Sequence, residues 1–366
     1  MTYSYVLQNV KFATGRKVDM VIRNGRIAEI TKAGKGIAQE KFNYSGCYVS
    51  SGWIDLHVHA NKALHPYGDE IDEIGVKQGV TTIVDAGSCG ANNVSDILDA
   101  EKVHKTNLYV FLNISAIGLT RMDELSNLKW IDEQKVVDTI AKYREKIIGL
   151  KARISNSVVK DNDIMPLQIA KKFSRLTSLP LMVHIGSAPP AINDILRLLD
   201  RKDIVTHFLN GKSNNLFDQN GNPLKELQQA IHRGVLLDVG HGSASFSFQV
   251  AEYAKKHQIY PFSISTDIYR ENRQNGPVYS LAHVASKFLY LGYSLEQVIN
   301  AITIYPAQAI GMPELATIAA GENANLTIFK MANKKTVLVD SVGEERITNQ
   351  MIVPKGVVKD GELITC

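Results

Sequence analysis

The chain has 366 residues, 45% of them hydrophobic and 21% charged, which excludes a disordered polypeptide and suits one large domain with a smaller attachment. The formal net charge is +4 and no Lys/Arg block tracks a phosphate backbone, so nucleic acid is not expected as a partner. Three distant cysteines, Cys47, Cys89 and Cys366, make no metal-type pair and point to a reducing cytoplasm; the N-terminus lacks the apolar core of a signal peptide, and no window reads as a membrane span.

In chain order, the first 50 residues predict short strands. "YVLQNVKF", "DMVIRNGRIAEI" and "CYVSSG" alternate apolar and polar residues, with an Asn-Gly hairpin signal in "RNGR". From Ser51 to Met312 eight apolar stretches follow: "WIDLHVH", "TTIVDAG", "LYVFLNIS", "IIGLKAR", "PLMVHIG", "DIVTHFL", "GVLLDVG" and "FSISTD". Helical patterns such as "VSDILDAEKVHKT", "QKVVDTIAKYREK" and "MPLQIAKKFSRLT" fall between most of them. Eight strands alternating with helices predict an α/β fold, a (β/α)8 TIM barrel over residues 51–312. A doubly wound open sheet is the alternative, but "WIDLHVHANK" has no Gly-rich phosphate turn. The tail is strand-like again ("NANLTIFKM", "KTVLVDS", "GVVKDGELI"). Residues 1–50 and 313–366 are therefore expected to form one small β-sandwich domain from both chain ends.

The strand ends carry the chemistry. Residues two apart on a strand share a face, so His57 and His59 in "GWIDLHVHA" project together. The fourth strand ends in Lys151, the fifth in His184, the sixth in His207 and the eighth in Asp267. In a barrel, six such residues on five strands converge on the catalytic mouth. Imidazole and carboxylate suit zinc and its neighbours, and four His plus one Asp exceed a single tetrahedral set, which allows two ions. A buried lysine with a lowered pKa can take up carbon dioxide and become a bridging carbamate; Lys151 is the candidate. Without the histidines, Lys151 reads as an ordinary ion-paired lysine.

These motifs resemble the amidohydrolase superfamily, through "GWIDLHVH", Lys151, "MVHIG", "VTHFLNG", "SISTD" and the tail "LATIAAGENANLTIF". More narrowly, "EIGVKQGVTTIVDAGSCG", "LMVHIGSAPP", "DVGHGSASF" and "NGPVYSLA" look like a subgroup labelled dihydroorotase-like, adenine-deaminase-like or deacetylase-like. The resemblance implies His57, His59 and Asp267 on a more buried metal, His184 and His207 on a more exposed one, and carboxylated Lys151 bridging two divalent ions, zinc by preference. A metal-bridging hydroxide would attack an amide or ester carbonyl of a small acylated substrate, with Asp267 as catalytic proton shuttle. Arg153, His241, Asn210 and Tyr269 are candidates for substrate contact, each with a plain structural alternative.

Three other functions are weighed. A cyclic amidohydrolase of dihydroorotase type usually has an arginine two residues after the second histidine, where this chain has Asn61. A purine deaminase would often have a Glu shortly after the fifth-strand His, and "HIGSAPPAIND" offers none nearby. A non-enzymatic barrel has no physical need for all six groups. A small-molecule partner is expected, with no membrane, and a homo-oligomer is allowed.

Overall fold

The structure is a computed structural model that describes residues 4–366. Its first five strands are β1 (Ser4–Lys11), β2 (Lys17–Arg23), β3 (Arg26–Lys32), β4 (Glu40–Asn43) and β5 (Tyr48–Ser51). The Asn-Gly signal forms the β2–β3 hairpin: Asn24 and Gly25 both have positive φ, which matches the twist of the flanking strands.

Seven further strands form a parallel sheet whose spatial order follows the chain: β6 (Trp53–Val58), β7 (Val80–Ala86), β8 (Asn107–Asn113), β9 (Ile147–Ile154), β10 (Leu181–Ile185), β11 (Ile204–Thr206) and β12 (Leu236–Asp238). Every residue of β6 and β7 is buried, which is the signature of parallel strands covered on both faces. Helices connect the strands, among them Val94–Glu101, Glu133–Lys142, Met165–Thr177, Ile192–Leu198 and Lys225–Arg233. Val136 and Ile140, then Leu167, Ala170 and Phe173, turn one apolar face of their helices to the core at helical spacing.

The eighth expected strand, "FSISTD", does not form a regular strand. Asp267 takes a left-handed φ of 53°, which breaks the extended run. The segment still joins both edges of the sheet. Val239 N donates to Ser263 O (3.0 Å) and His59 N to Ile268 O (2.9 Å), while Asp267 N donates to His57 O (2.7 Å). The polypeptide is thus curled, with residues 263–268 lying between β12 and β6.

The chain returns as β13 (Leu326–Val339), β14 (Glu345–Lys359) and β15 (Glu362–Thr365). These strands share one sheet with the N-terminal ones, in the order β15-β14-β13-β5-β1-β2-β3, with β4 on β1. Leu326 stands opposite Ser51, so the two chain ends meet through β13 and β5. Tyr5, Leu7, Met20, Ile22, Val49, Ile328 and Val358 form its apolar core. Among the described residues no helix is long and apolar enough to cross a membrane.

Candidate metal centre

His57 and His59, at and just beyond the end of β6, aim their Nε2 atoms at one oxygen. They lie 3.3 and 3.0 Å from Asp267 Oδ1. Lys151 Nζ, on β9, lies 3.1 Å from His57 Nε2. The ring of His207 is 5.1 Å from that of His57 and 4.4 Å from that of His184, centroid to centroid. The six residues therefore gather around one cavity, although Lys151 does not end its strand: β9 continues through Ile154, and the Lys151 side chain reaches His57 from within it. His57, His207 and Asp267 form a group whose ligand atoms lie within 4.8 Å of one another, a spacing able to hold a metal ion.

The outer nitrogens of His57 and His207 are committed as donors, which leaves a lone pair on each inner nitrogen. Thr206 Oγ1 donates to Asp238 Oδ2 (2.7 Å) and so accepts from His57 Nδ1 (2.9 Å). His59 Nδ1 contacts Ser88 Oγ at 2.8 Å. His207 Nδ1 donates to the carbonyl of Gly240 at 2.6 Å, since a carbonyl only accepts. Its Nε2 is buried and has no hydrogen-bond partner. Burial pushes the His207 imidazole down to about 3, so at neutral pH that nitrogen carries a lone pair. A neutral imidazole with Nδ1–H fixed by an oxygen and Nε2 unpaired is what a transition metal requires. The donor set thus fits a metal of the zinc type.

Electrostatics favour the same protonation states. Burial, then Lys151, lowers the His57 pKa; burial, then His207, lowers that of His184 well below its ordinary value. Burial opposes ionisation of Asp267, but His57, His59 and His207 outweigh it and hold the carboxyl well below the usual range. Burial lowers Lys151 to about 8, against the pull of Asp267 and Asp238, so its amine is available in neutral form to a useful extent.

His207 and Asp267 are both non-glycine residues with positive φ, 67° and 53°. Such conformations cost on the order of 1–3 kcal/mol each and persist where the surroundings over-determine them. Here they turn the two side chains off the line of their strands. The turn after β12 packs behind them. A Cβ on Gly240 would come within 2.8 Å of His207 Nδ1, and one on Gly242 within 2.4 Å of Asp267 Oδ2, so only glycine permits this approach.

The cavity over these groups has a volume of about 230 Å³ and is lined by His57, His59, Lys151, His184 and Asp267, with Arg153, Tyr67, Lys212, Ser243 and Tyr269 among its walls. Arg153 and Tyr269 therefore face the space expected of them. Arg153 already grips the buried Glu124, with Nε on Oε1 (2.8 Å) and Nη2 on Oε2 (2.7 Å). Asn210 and His241 do not line the cavity, and both are fully buried. Asn210 instead braces a turn, donating to His207 O (2.9 Å) and accepting from Lys212 N (3.0 Å). His241 donates from Nδ1 to Gly242 O (2.9 Å) and accepts at Nε2 from Lys287 (2.6 Å).

Sequence reasoning missed Asp238, Glu124, Lys212 and Lys287. Asp238 ends the seventh apolar stretch, "GVLLDVG", so the strand-end rule could have found it. It accepts from Thr206, Ser263 and Ser265 and orients His57 through Thr206. Glu124 and Lys212 sit in loops, and Lys287 lies in an apolar helix, where no local pattern marks them.

Comparison with known proteins agrees with this architecture. A protein-family model described as a Deacetylase-like composite domain matches residues 318–363. A deacetylase of Enterococcus faecalis is 39% identical over 366 residues, covering 99% of each chain. A solved structure described as an adenine deaminase superposes with a TM-score of 0.95 at 39% identity, covering 100% of both chains. A second, described as a dihydroorotase, gives a TM-score of 0.91 at 32% identity and covers 99% of both. The chain belongs to the deacetylase-like family of the amidohydrolase superfamily and is a hydrolase.

Proposed function

We propose that the protein is a binuclear metal-dependent hydrolase that cleaves the amide or ester bond of a small acylated acid. The observation that carries this reading is the buried, unpaired Nε2 of His207, set among His57, Asp267 and Lys151. His57, His59 and Asp267 would hold one divalent ion and His184 and His207 the second, zinc by preference. Lys151 would add its neutral amine to carbon dioxide, lose a proton and present the resulting carbamate to both. Bound ions supply Lewis acidity, which lowers the pKa of water and polarises a carbonyl. Asp267 then accepts the proton of the attacking water and delivers it to the leaving nitrogen or oxygen.

Charge in the cavity bears on the substrate. Glu124 neutralises Arg153, whereas Lys212 makes no ion pair among the described residues. Lys212 thus offers the positive end for a substrate carboxylate, with Tyr67 and Tyr269 as aromatic walls. Asn61, at the position where a dihydroorotase usually has its arginine, donates to Cys89 Sγ (3.2 Å) and gives no such clamp. The same reading takes residues 263–268 as the eighth stave of a (β/α)8 barrel spanning 51–312, with 1–50 and 313–366 as a separate β-domain. It places the enzyme in the cytoplasm with a small-molecule partner, and no nucleic acid or membrane.

The test is turnover of N-acyl and O-acyl acids beside dihydroorotate and adenine, with and without chelation. We expect acyl turnover that chelation abolishes and zinc restores. Asp267→Asn should lose at least roughly a thousandfold in kcat, in line with loss of general-base catalysis plus ligand disturbance, yet retain metal. Full activity after exhaustive chelation, or dominant turnover of dihydroorotate or adenine, would overturn the reading.

A further inference from the structure

We propose that Ser341 and Lys287 are positioning residues for the metal centre, clamping the Gly240–Gly242 turn that fixes His207 and Asp267. The inference rests on the reading of those two residues as metal ligands. The turn touches both. Gly240 O accepts from His207 Nδ1 at 2.6 Å and thereby sets the ring's tautomer and angle. Gly242, at φ 52°, packs so closely on the Asp267 carboxylate that a Cβ there would come within 2.4 Å of Oδ2.

What holds the turn comes from far along the chain. Ser341, at the tip of the long β13–β14 hairpin, donates from Oγ to Gly242 O (2.9 Å) and lies 3.3 Å from His241 O. Its backbone N donates to Phe246 O (2.9 Å), and the neighbouring Asp340 Oδ2 accepts from Phe248 N (3.0 Å). Lys287, on the helix Leu281–Tyr290, donates to His241 Nε2 (2.6 Å), Pro277 O (2.9 Å) and Val339 O (2.6 Å). One ammonium thus ties three segments, including the last residue of β13. The His241 ring between them stacks on Phe246, with centroids 4.5 Å apart.

The chemistry of Lys287 argues against simple core filling. It is fully buried, and its three bonds go to neutral acceptors. Burial lowers its pKa to about 7, and making all three donations requires the protonated form, a desolvation cost that a methionine of similar length would avoid. What it supplies instead is three directed bonds that fix where the turn sits. The group bonded directly to a ligand is the Gly240 carbonyl, and such partners commonly govern metal affinity; Ser341 and Lys287 act through the turn that carries it.

Zinc affinity of the full chain, read by chelator competition, tests this without reference to substrate. Ser341→Ala and Lys287→Met should each weaken zinc binding about tenfold, the lower end of the range for groups that bond a ligand directly, because both act through the turn. Ser341→Thr, which keeps the hydroxyl, should bind within about threefold of wild type on the same scale. A merely structural role would lower the unfolding midpoint and leave zinc affinity unchanged. Folded variants with wild-type zinc affinity would overturn the inference. If Lys287→Met fails to fold, unchanged affinity in Ser341→Ala suffices. A wild-type chain that binds no zinc would overturn the metal reading itself and this inference with it.

Discussion

Two largely buried basic side chains flank the candidate centre, one on each wall, and they are held in opposite ways. Arg153 on β9 lies in a bidentate fork with Glu124, whose side chain is 0% exposed. Lys287, behind the turn after β12, has three neutral acceptors and no carboxylate among its bonds. Both Arg153 and His241 were expected from sequence to meet substrate. Only the first reaches the cavity, and it arrives with its charge cancelled. On one wall, then, a charge is matched locally and forms a rigid polar surface. On the other, a charge is spent on geometry, out of reach of any ligand.

The largest effect expected from breaking this contrast is at Glu124. Glu124→Ala should destabilise the fold by about 3 kcal/mol, because it strips the carboxylate from a largely buried guanidinium that keeps only its bond to Met122 O. Chemical denaturation reads it directly. Lys287→Met strands three uncharged acceptors but also removes the cost of burying an ammonium; the two oppose each other, so a smaller net loss of about 1–3 kcal/mol is expected. A larger loss at Lys287 than at Glu124 would reverse the comparison. The smallest effect is at Lys212, which is half-buried at the cavity wall. Lys212→Met should raise KM for a carboxylate-bearing acyl substrate about tenfold, or ~1.4 kcal/mol, with little change for its neutral amide. Equal loss on both substrates would remove Lys212 from recognition.

Much of the site was legible because strands alternate. Period two puts His57 and His59 on one side, and the apolar runs locate His184 and His207 near strand ends and Lys151 within β9. The structure brings those residues together with Asp267, though "FSISTD" was misread as a regular strand. The left-handed backbone at Asp267 and His207 has only a weak signal in residue type: Asp and His are enriched at positive φ among non-glycine residues, but most of them in any chain are not left-handed. Asn210 and His241 looked like pocket residues because they follow ligand-bearing or neighbouring strands. Both have their polar atoms occupied by backbone or Lys287, partners that only tertiary folding brings near. Lys287 itself was invisible: "LAHVASKFLY" reads as an ordinary helix, and its acceptors lie 46, 10 and 52 residues away. The two β-rich ends were legible as hairpins, and their merging into one hydrogen-bonded sheet follows the expected meeting of the termini.

The pairing of β5 with β13 also governs how the molecule is made. Trp53 N donates to Thr327 Oγ1, 274 residues later, and Ser51 finds its strand partner only at Leu326. At ~5–20 residues per second, a ribosome needs roughly 14–55 s to bridge that gap. Through that interval the early strands wait with one edge unpaired, a state that invites chaperone capture. Nascent chains arrested before Leu326 should therefore remain protease-sensitive across β1–β5, and chains arrested after β14 should be protected there.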